Sequence, residues 1–303
     1  MRASSLSPRN NLSRLPATPL SLAMLGLLVV LYGPVLWHWV DGWLNKSISI
    51  QHEYFSHGLL GLPLAAHLAW TQRLQWRQLP EQTHPAGLGL LGLGAVLYLS
   101  QLPDWINISF PFILAGLCLS LKGLPGLKLM GFPLVLVVFA TPSQLPYLIE
   151  PYILPLQSFI ATVAGFLLQQ GGIDVTVDQI YLRVNDQMVE VAPHCAGLKM
   201  LFTSLYVSLM LVYWTQLWQS RLRLGVFLTG TVAISVVGNI IRNAVLSYFH
   251  GVGNEAAFHW LHESWGGDVY SAIMLLMLIG LVNLVQRYVP ERLAVNAETE
   301  SMV

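Results

Sequence analysis

Cys195, Arg242 and His262 are the residues whose types and settings are best suited to chemistry. A cysteine is a nucleophile once its thiol ionises. An arginine can hold developing negative charge. A histidine exchanges protons near neutral pH. Cys195 lies in Ala192-Pro193-His194-Cys195-Ala196-Gly197-Leu198, at the entrance to an apolar run. In the first turn of a helix there, the positive end of the helix dipole would favour the thiolate. Pro193 suits a helix start, and Gly197 leaves room for another backbone to come close. The other cysteine, Cys118, sits inside an apolar run and reads as a small apolar filler. Two cysteines make no disulfide framework, and the topology below separates them to opposite faces of a membrane.

Arg242 stands in Gly238-Asn239-Ile240-Ile241-Arg242-Asn243, within an otherwise apolar helical run. An arginine on such a span costs at least about 2.5–3.5 kcal/mol, which marks it as a functional candidate. Asn239 and Asn243 are four apart and fall on nearly the same helical face, beside Arg242. The bland alternative is an arginine snorkelling to the interface. His250, His259 and His262 crowd the loop before the last apolar run, which opens at His262-Glu263-Ser264-Trp265-Gly266-Gly267. His259, three residues before His262, shares its face if the segment is helical, and is the rival acid–base. His52-Glu53-Tyr54-Phe55-Ser56-His57 imitates a zinc-protease motif, but its histidines are five apart where one helix face needs four. No metal or other cofactor is implied. There is also no Gly-x-Ser-x-Gly elbow to anchor a serine hydrolase.

These residues need a membrane to position them. The 303-residue chain is 54% hydrophobic and 10% charged, against about 25% charged in soluble domains. Its surface must therefore face lipid. Net charge is zero and no basic block stands out, so nucleic acid is not an expected partner. Apolar runs fall near 18–40, 57–72, 86–102, 107–122, 127–141, 196–218, 223–248 and 268–288. Runs 57–72, 107–122 and 127–141 are short for a span of about 20 residues. Segment 143–170 carries Pro146, Pro151 and Pro155, which break regular spanning structure.

Basic residues collect on the cytoplasmic side. With the N-terminus inside and 143–170 not crossing, Arg2, Arg9, Arg14, Arg73, Arg77, Lys122, Lys128, Arg221, Arg223, Arg287 and Arg292 all face the cytoplasm, 11 of the 15 basic residues. The expected fold is an all-α polytopic membrane protein with about eight transmembrane helices. Residues 1–17 and 291–303 form cytoplasmic tails around an 18–290 transmembrane domain. Segment 143–170 lies in or dips into the outer interface. Between 173 and 191, Val175, Val177, Ile180, Leu182, Val184, Val189 and Val191 alternate with polar residues or Tyr, which reads as a small extracytoplasmic β-hairpin with a turn at Asn185-Asp186. Cys195, Arg242 and His262 then meet on the outer face.

At these residues the sequence resembles the exosortase/archaeosortase family of multi-pass membrane cysteine transpeptidases. Tyr54-Phe55-Ser56-His57-Gly58 through Trp70, Ala192 to Leu198, Asn239-Ile240-Ile241-Arg242 and His262-Glu263-Ser264-Trp265-Gly266 look like its four motifs, in order, over roughly 50–290. Its Gly/His/Trp-rich details resemble a cyanobacterial branch. The resemblance implies a catalytic triad of Cys195, Arg242 and His262. Asn239, Asn243, His194, Gly197, His57 and His259 would support it or bind substrate. It implies a thiol protease or transpeptidase of the bacterial inner membrane. The substrates would be exported, membrane-anchored proteins with a C-terminal tripartite signal: a short motif such as Pro-Glu-Pro, a transmembrane helix and a basic tail. Ala196 departs from the family's usual Ser after the cysteine. Two readings from other classes use the same residues: a transporter or channel binding solute on the polar stripe, and an assembly subunit in which Arg242 pairs with a partner's acid.

Overall fold

The computed structural model describes residues 19–45, 54–185, 187–191, 197–262 and 264–291. The protein is a mostly helical, polytopic membrane protein with a small sheet among the described residues. Among the described residues, five helices are long and apolar enough to cross a bilayer: α1 (Pro19–Leu44), α5 (Pro103–Leu129), α9 (Leu198–Thr215), α10 (Arg221–Gly251) and α12 (Trp265–Tyr288). Three apolar helices are shorter: α2 (Gly58–Thr71), α4 (Pro85–Leu99) and α6 (Gly131–Ala140). The ten residues of α6 rise only ~15 Å, about half of a hydrocarbon core of about 30 Å. All eight expected runs are thus helical, but their lengths are distributed differently than expected. The 107–122 run belongs to a 27-residue helix, whereas 86–102 yields only 15 helical residues. Proline explains both starts: Pro85 and Pro103 occupy first-turn positions, where a missing N–H costs nothing.

Near its end α5 is bent. Gly123 adopts φ +61, a left-handed conformation that glycine tolerates, and Pro125 follows. Lys122, just before the bend, donates from Nζ to the Leu79 carbonyl at 2.8 Å. That carbonyl follows the short helix α3 (Arg73–Gln78). Outward apolar side chains remain uncovered along the long helices, among them Val30, Val237 and Leu276, as a lipid-facing surface requires.

Segment 143–170 folds as α7 (Leu145–Ile149), a 3-10 turn (Glu150–Tyr152) and α8 (Leu154–Gln170). The breaks fall at Pro151 and just before Pro155. One face of α8 is fully buried through Ile160, Ala161 and Ala164, while Phe159 and Phe166 are exposed on the other.

The expected hairpin is a three-stranded antiparallel meander: β1 (Val175–Asp178), β2 (Tyr181–Val184) and β3 (Gln187–Glu190), in the order β1-β2-β3. Ile180, expected to continue the alternation, lies in the turn before β2, where Gln179 takes φ +54. Asn185 takes φ +48 in the second turn, as expected of a tight hairpin; Asp186 lies outside the described residues. The sheet lies along α8. Gln157 Nε2 donates to the Val191 carbonyl and Gln169 Nε2 to the Val175 carbonyl, each at 2.9 Å. Between them, Gly165 lets Val177 and Leu182 approach. The sheet's other support is the end of α10, where Val184 packs on Gly251 and Asn185 Nδ2 donates to the Gly251 carbonyl at 3.2 Å. Trp39, Trp43, Tyr54, Phe55, Ile160, Leu182, Val184, Leu198, Ile240 and Ala244 join these elements in one apolar core. The candidate site is built on top of that core.

Candidate active site

Helix α10 is the spine of the site. Ser220 caps its start, accepting from the Arg223 N–H at 3.4 Å, and the helix then runs 31 residues to Gly251. Its C-terminal half carries the polar residues of the site. Asn239 and Asn243 are buried and joined along the helix, Asn243 Nδ2 donating to the Asn239 carbonyl at 2.9 Å. Neither polar atom of the Asn239 side chain has a hydrogen-bond partner among the described residues. An unsatisfied buried amide is costly, so this one marks a position aimed at something.

What lies against Asn239 is Gly197. A Cβ placed on Gly197 would stand 2.7 Å from Asn239 Cγ. Gly197 is therefore glycine for close approach, but to a side chain and not to the backbone expected from sequence. Its φ of +85 supplies a second reason. This left-handed residue is also the N-cap of α9, which starts at Leu198. The described part of that helix begins three residues after Cys195 in the chain, and the expected first-turn placement of Cys195 falls outside the described residues. Cys195 and His194 themselves lie outside the described residues.

Arg242 points to a different neighbour from the two asparagines, because it is turned about 100° from Asn243 around the helix. Its guanidinium reaches the start of α12, where Nη2 is 3.8 Å from the position a Gly267 Cβ would occupy. Its Nε is buried and has no hydrogen-bond partner among the described residues. Arg242 is thus half-buried, with its guanidinium directed toward the start of α12. Tyr270, one turn into α12, donates its hydroxyl to the Gly238 carbonyl and ties α12 to the same stretch of α10.

The histidines separate clearly. Helix α11 (Glu255–His262) follows α10 and folds back toward α12; buried Gly266 permits this, since a Cβ there would meet Trp260 at 2.6 Å. His262 is half-buried and stacks on Phe258, ring centroids 5.2 Å apart and 10° from parallel. It lines a cavity of about 210 Å³ together with Asn243, Leu246 and His250 of α10, Phe258, and Met188, Val189 and Glu190 of β3. His259 is exposed, lies against the edge of Phe258, and is not among the residues lining this cavity. His250 pairs with Glu255 at 3.4 Å.

His57 belongs elsewhere. It is buried, donates from Nε2 to the Phe139 carbonyl at 3.0 Å and packs on Tyr206, whose hydroxyl donates to the Leu136 carbonyl at 2.9 Å. These bonds join α2, α6 and α9 and give His57 a structural setting. Sequence reasoning missed the β3 wall of the cavity; a strand that leads within five residues to Cys195 was the available signal. Cys118 lines a separate apolar cavity of about 700 Å³ between α1, α2, α5 and α6, in keeping with its reading as a filler.

The arrangement thus brings Gly197, Asn239, Arg242, Asn243 and His262 to one end of α10, and leaves His57 and His259 apart from them. Comparison with curated proteins and with solved structures finds no match. Comparison with family models does: the model for transmembrane exosortases matches residues 39–279, a stretch that contains all four sequence motifs and every residue of the site. On that match, over most of its length, the chain belongs to the transmembrane exosortase family.

Proposed function

We propose that this protein is a membrane cysteine protease or transpeptidase that works through an acyl-enzyme on Cys195. The observation that carries the reading is the seating of Gly197, two residues after Cys195, directly on Asn239, one turn of α10 from Arg242 and from the cavity that His262 lines. In the first step the Cys195 thiolate attacks a backbone carbonyl carbon of the substrate. Arg242 holds the oxyanion that forms. The carbon–nitrogen bond breaks as His262 protonates the departing amine, leaving a thioester on Cys195. His262 then takes a proton from water or from an acceptor amine, which attacks the thioester and expels the Cys195 thiolate, restoring the starting state. Water gives hydrolysis and an amine gives transpeptidation. Of the two rival histidines, the cavity position favours His262 over exposed His259.

The substrates that fit are exported proteins anchored by a C-terminal sorting signal, cleaved at the extracytoplasmic face of the inner membrane. The distribution of basic residues supports that orientation, with both tails in the cytoplasm. The test is the profile of exported-protein C-termini in cells carrying Cys195→Ser, Arg242→Ala or His262→Ala, each at matched expression. Cys195→Ser should abolish processing. Loss of the Arg242 charge should slow it about 10²–10³-fold and loss of the His262 imidazole about 10²–10⁴-fold. Unchanged processing with Cys195→Ser would end the enzyme reading and favour a solute-binding role for the polar stripe.

A further inference from the structure

We propose that the free edge of β3 is the substrate-docking strand: an extended polypeptide adds to the sheet there, as a fourth strand, and is thereby drawn past the cavity of His262. This rests on the protease reading above and specifies how that site holds its substrate.

Three observations carry it. First, β3 is the last strand in the order β1-β2-β3, so one of its edges has no strand partner among the described residues. Second, the ladder determines which groups face that edge. The Val191 N–H donates to Ile180 at 2.8 Å, and the register pairs Val189 with Leu182 and Gln187 with Val184. Alternation in an antiparallel pair then turns the N–H and C=O groups of 187 and 189, with the N–H of 191, inward and the N–H and C=O groups of Met188 and Glu190 outward. Two outward residues with one between them present the spacing an incoming strand needs. Third, Met188, Val189 and Glu190 all line the cavity. Successive side chains of a strand point to opposite faces, so three consecutive residues bordering one space fit a strand that turns its edge toward it.

The occupant follows from what shares that space. His262 and Asn243 line the same space, and the chain runs from Glu190 to Cys195 in five residues. A backbone paired with Met188 and Glu190 lies between the docking strand and the acid–base. The cavity, about 210 Å³ and walled by Leu246 and Phe258, takes one small or medium side chain of that backbone. Met188, an apolar residue 59% exposed on an edge strand, is also the kind of surface proteins normally cover.

The probe is trialanyl chloromethyl ketone, a short backbone with small side chains. Its methylene carbon is attacked by Sγ, forming a carbon–sulfur bond and releasing chloride. Labelling of Cys195 in the full-length protein in lipid nanodiscs is followed by mass, and its rate is divided by that of iodoacetamide, which has no backbone to dock. Proline at 188 or 190 removes only an outward N–H and leaves the β2 ladder intact. The rate ratio for Met188→Pro should fall about tenfold below that for Met188→Ala, and that for Glu190→Pro about tenfold below Glu190→Ala, the loss expected from an edge hydrogen bond and its register. In the unaltered protein, N-methylation of the peptide at the paired nitrogen should cost a similar factor, and at the neighbouring nitrogen much less. Equal ratios in the proline and alanine variants, or equal labelling by every N-methyl isomer, overturns strand docking while leaving the protease reading intact. Ready disulfide formation between copies carrying Met188→Cys would likewise overturn it, showing a second copy on the edge. Retained processing with Cys195→Ser is the separate result that removes the protease reading itself.

Discussion

Gly197 meets two demands at once, a left-handed backbone and contact with the Asn239 side chain. The two can be separated by comparison with Gly172, which also has positive φ (+79) but nothing within 4 Å of its would-be Cβ. Alanine at Gly172 should cost about 1–3 kcal/mol of local strain at most, with processing retained. Alanine at Gly197 should add a collision with Asn239 and lower processing at least about tenfold at matched expression. Equal effects of the two substitutions on processing would reduce Gly197 to a turn residue. The site residues were partly legible in the sequence. Arg242 stood out because a charge on an apolar helix is expensive, and that inference needs no tertiary contact. Which of His259 and His262 lines the cavity was not legible, because three residues apart on one short helix is a difference of facing, set by packing on Phe258.

At the scale of elements, α8 and the sheet act as a bracket for the segment leading to Cys195. Gln157 is buried and holds the Val191 carbonyl, the last described residue before 192–196. Gln157→Leu keeps the volume but leaves that carbonyl without its donor. We expect a loss of about 1–3 kcal/mol, read as a lower unfolding midpoint in detergent, together with slower processing. Gly165→Leu should act more severely, since Val177 and Leu182 already occupy the space. If it matches the wild type in both midpoint and processing, the sheet does not depend on α8. Period-two alternation revealed that strands exist, but not that there are three. Four-residue strands are too short for pattern to fix their turns, and Ile180 fits the alternation while serving as a turn residue.

For the whole molecule, the orientation is the prediction at stake. In a background without the native cysteines, single cysteines at Asn254 and Met188 should react with a membrane-impermeant maleimide on intact spheroplasts. Those at Arg77 and Glu291 should react only after permeabilisation. Labelling of position 254 from the cytoplasmic side alone would invert the topology and with it the placement of the site. Short helices α2 and α6 make this measurement necessary, because ten to fourteen helical residues do not by themselves determine a crossing.

The sequence by itself determined that the chain lies in a membrane, which apolar runs are helical, and that Arg242 is out of place unless used. Those conclusions follow from composition, apolar run length and the cost of a charge in lipid, all properties of residues and their neighbours along the chain. Tertiary structure decided which residues face one another. It turned Arg242 toward Gly267 and Asn239 toward Gly197, gave His57 to the α2–α6–α9 contact, and set β3 and His262 around one cavity. The physical reason is that a helix fixes angles only relative to itself. Which angle meets which neighbour depends on how α8, the sheet and α12 pack around α10, and that is settled by burial shared among residues far apart in the chain.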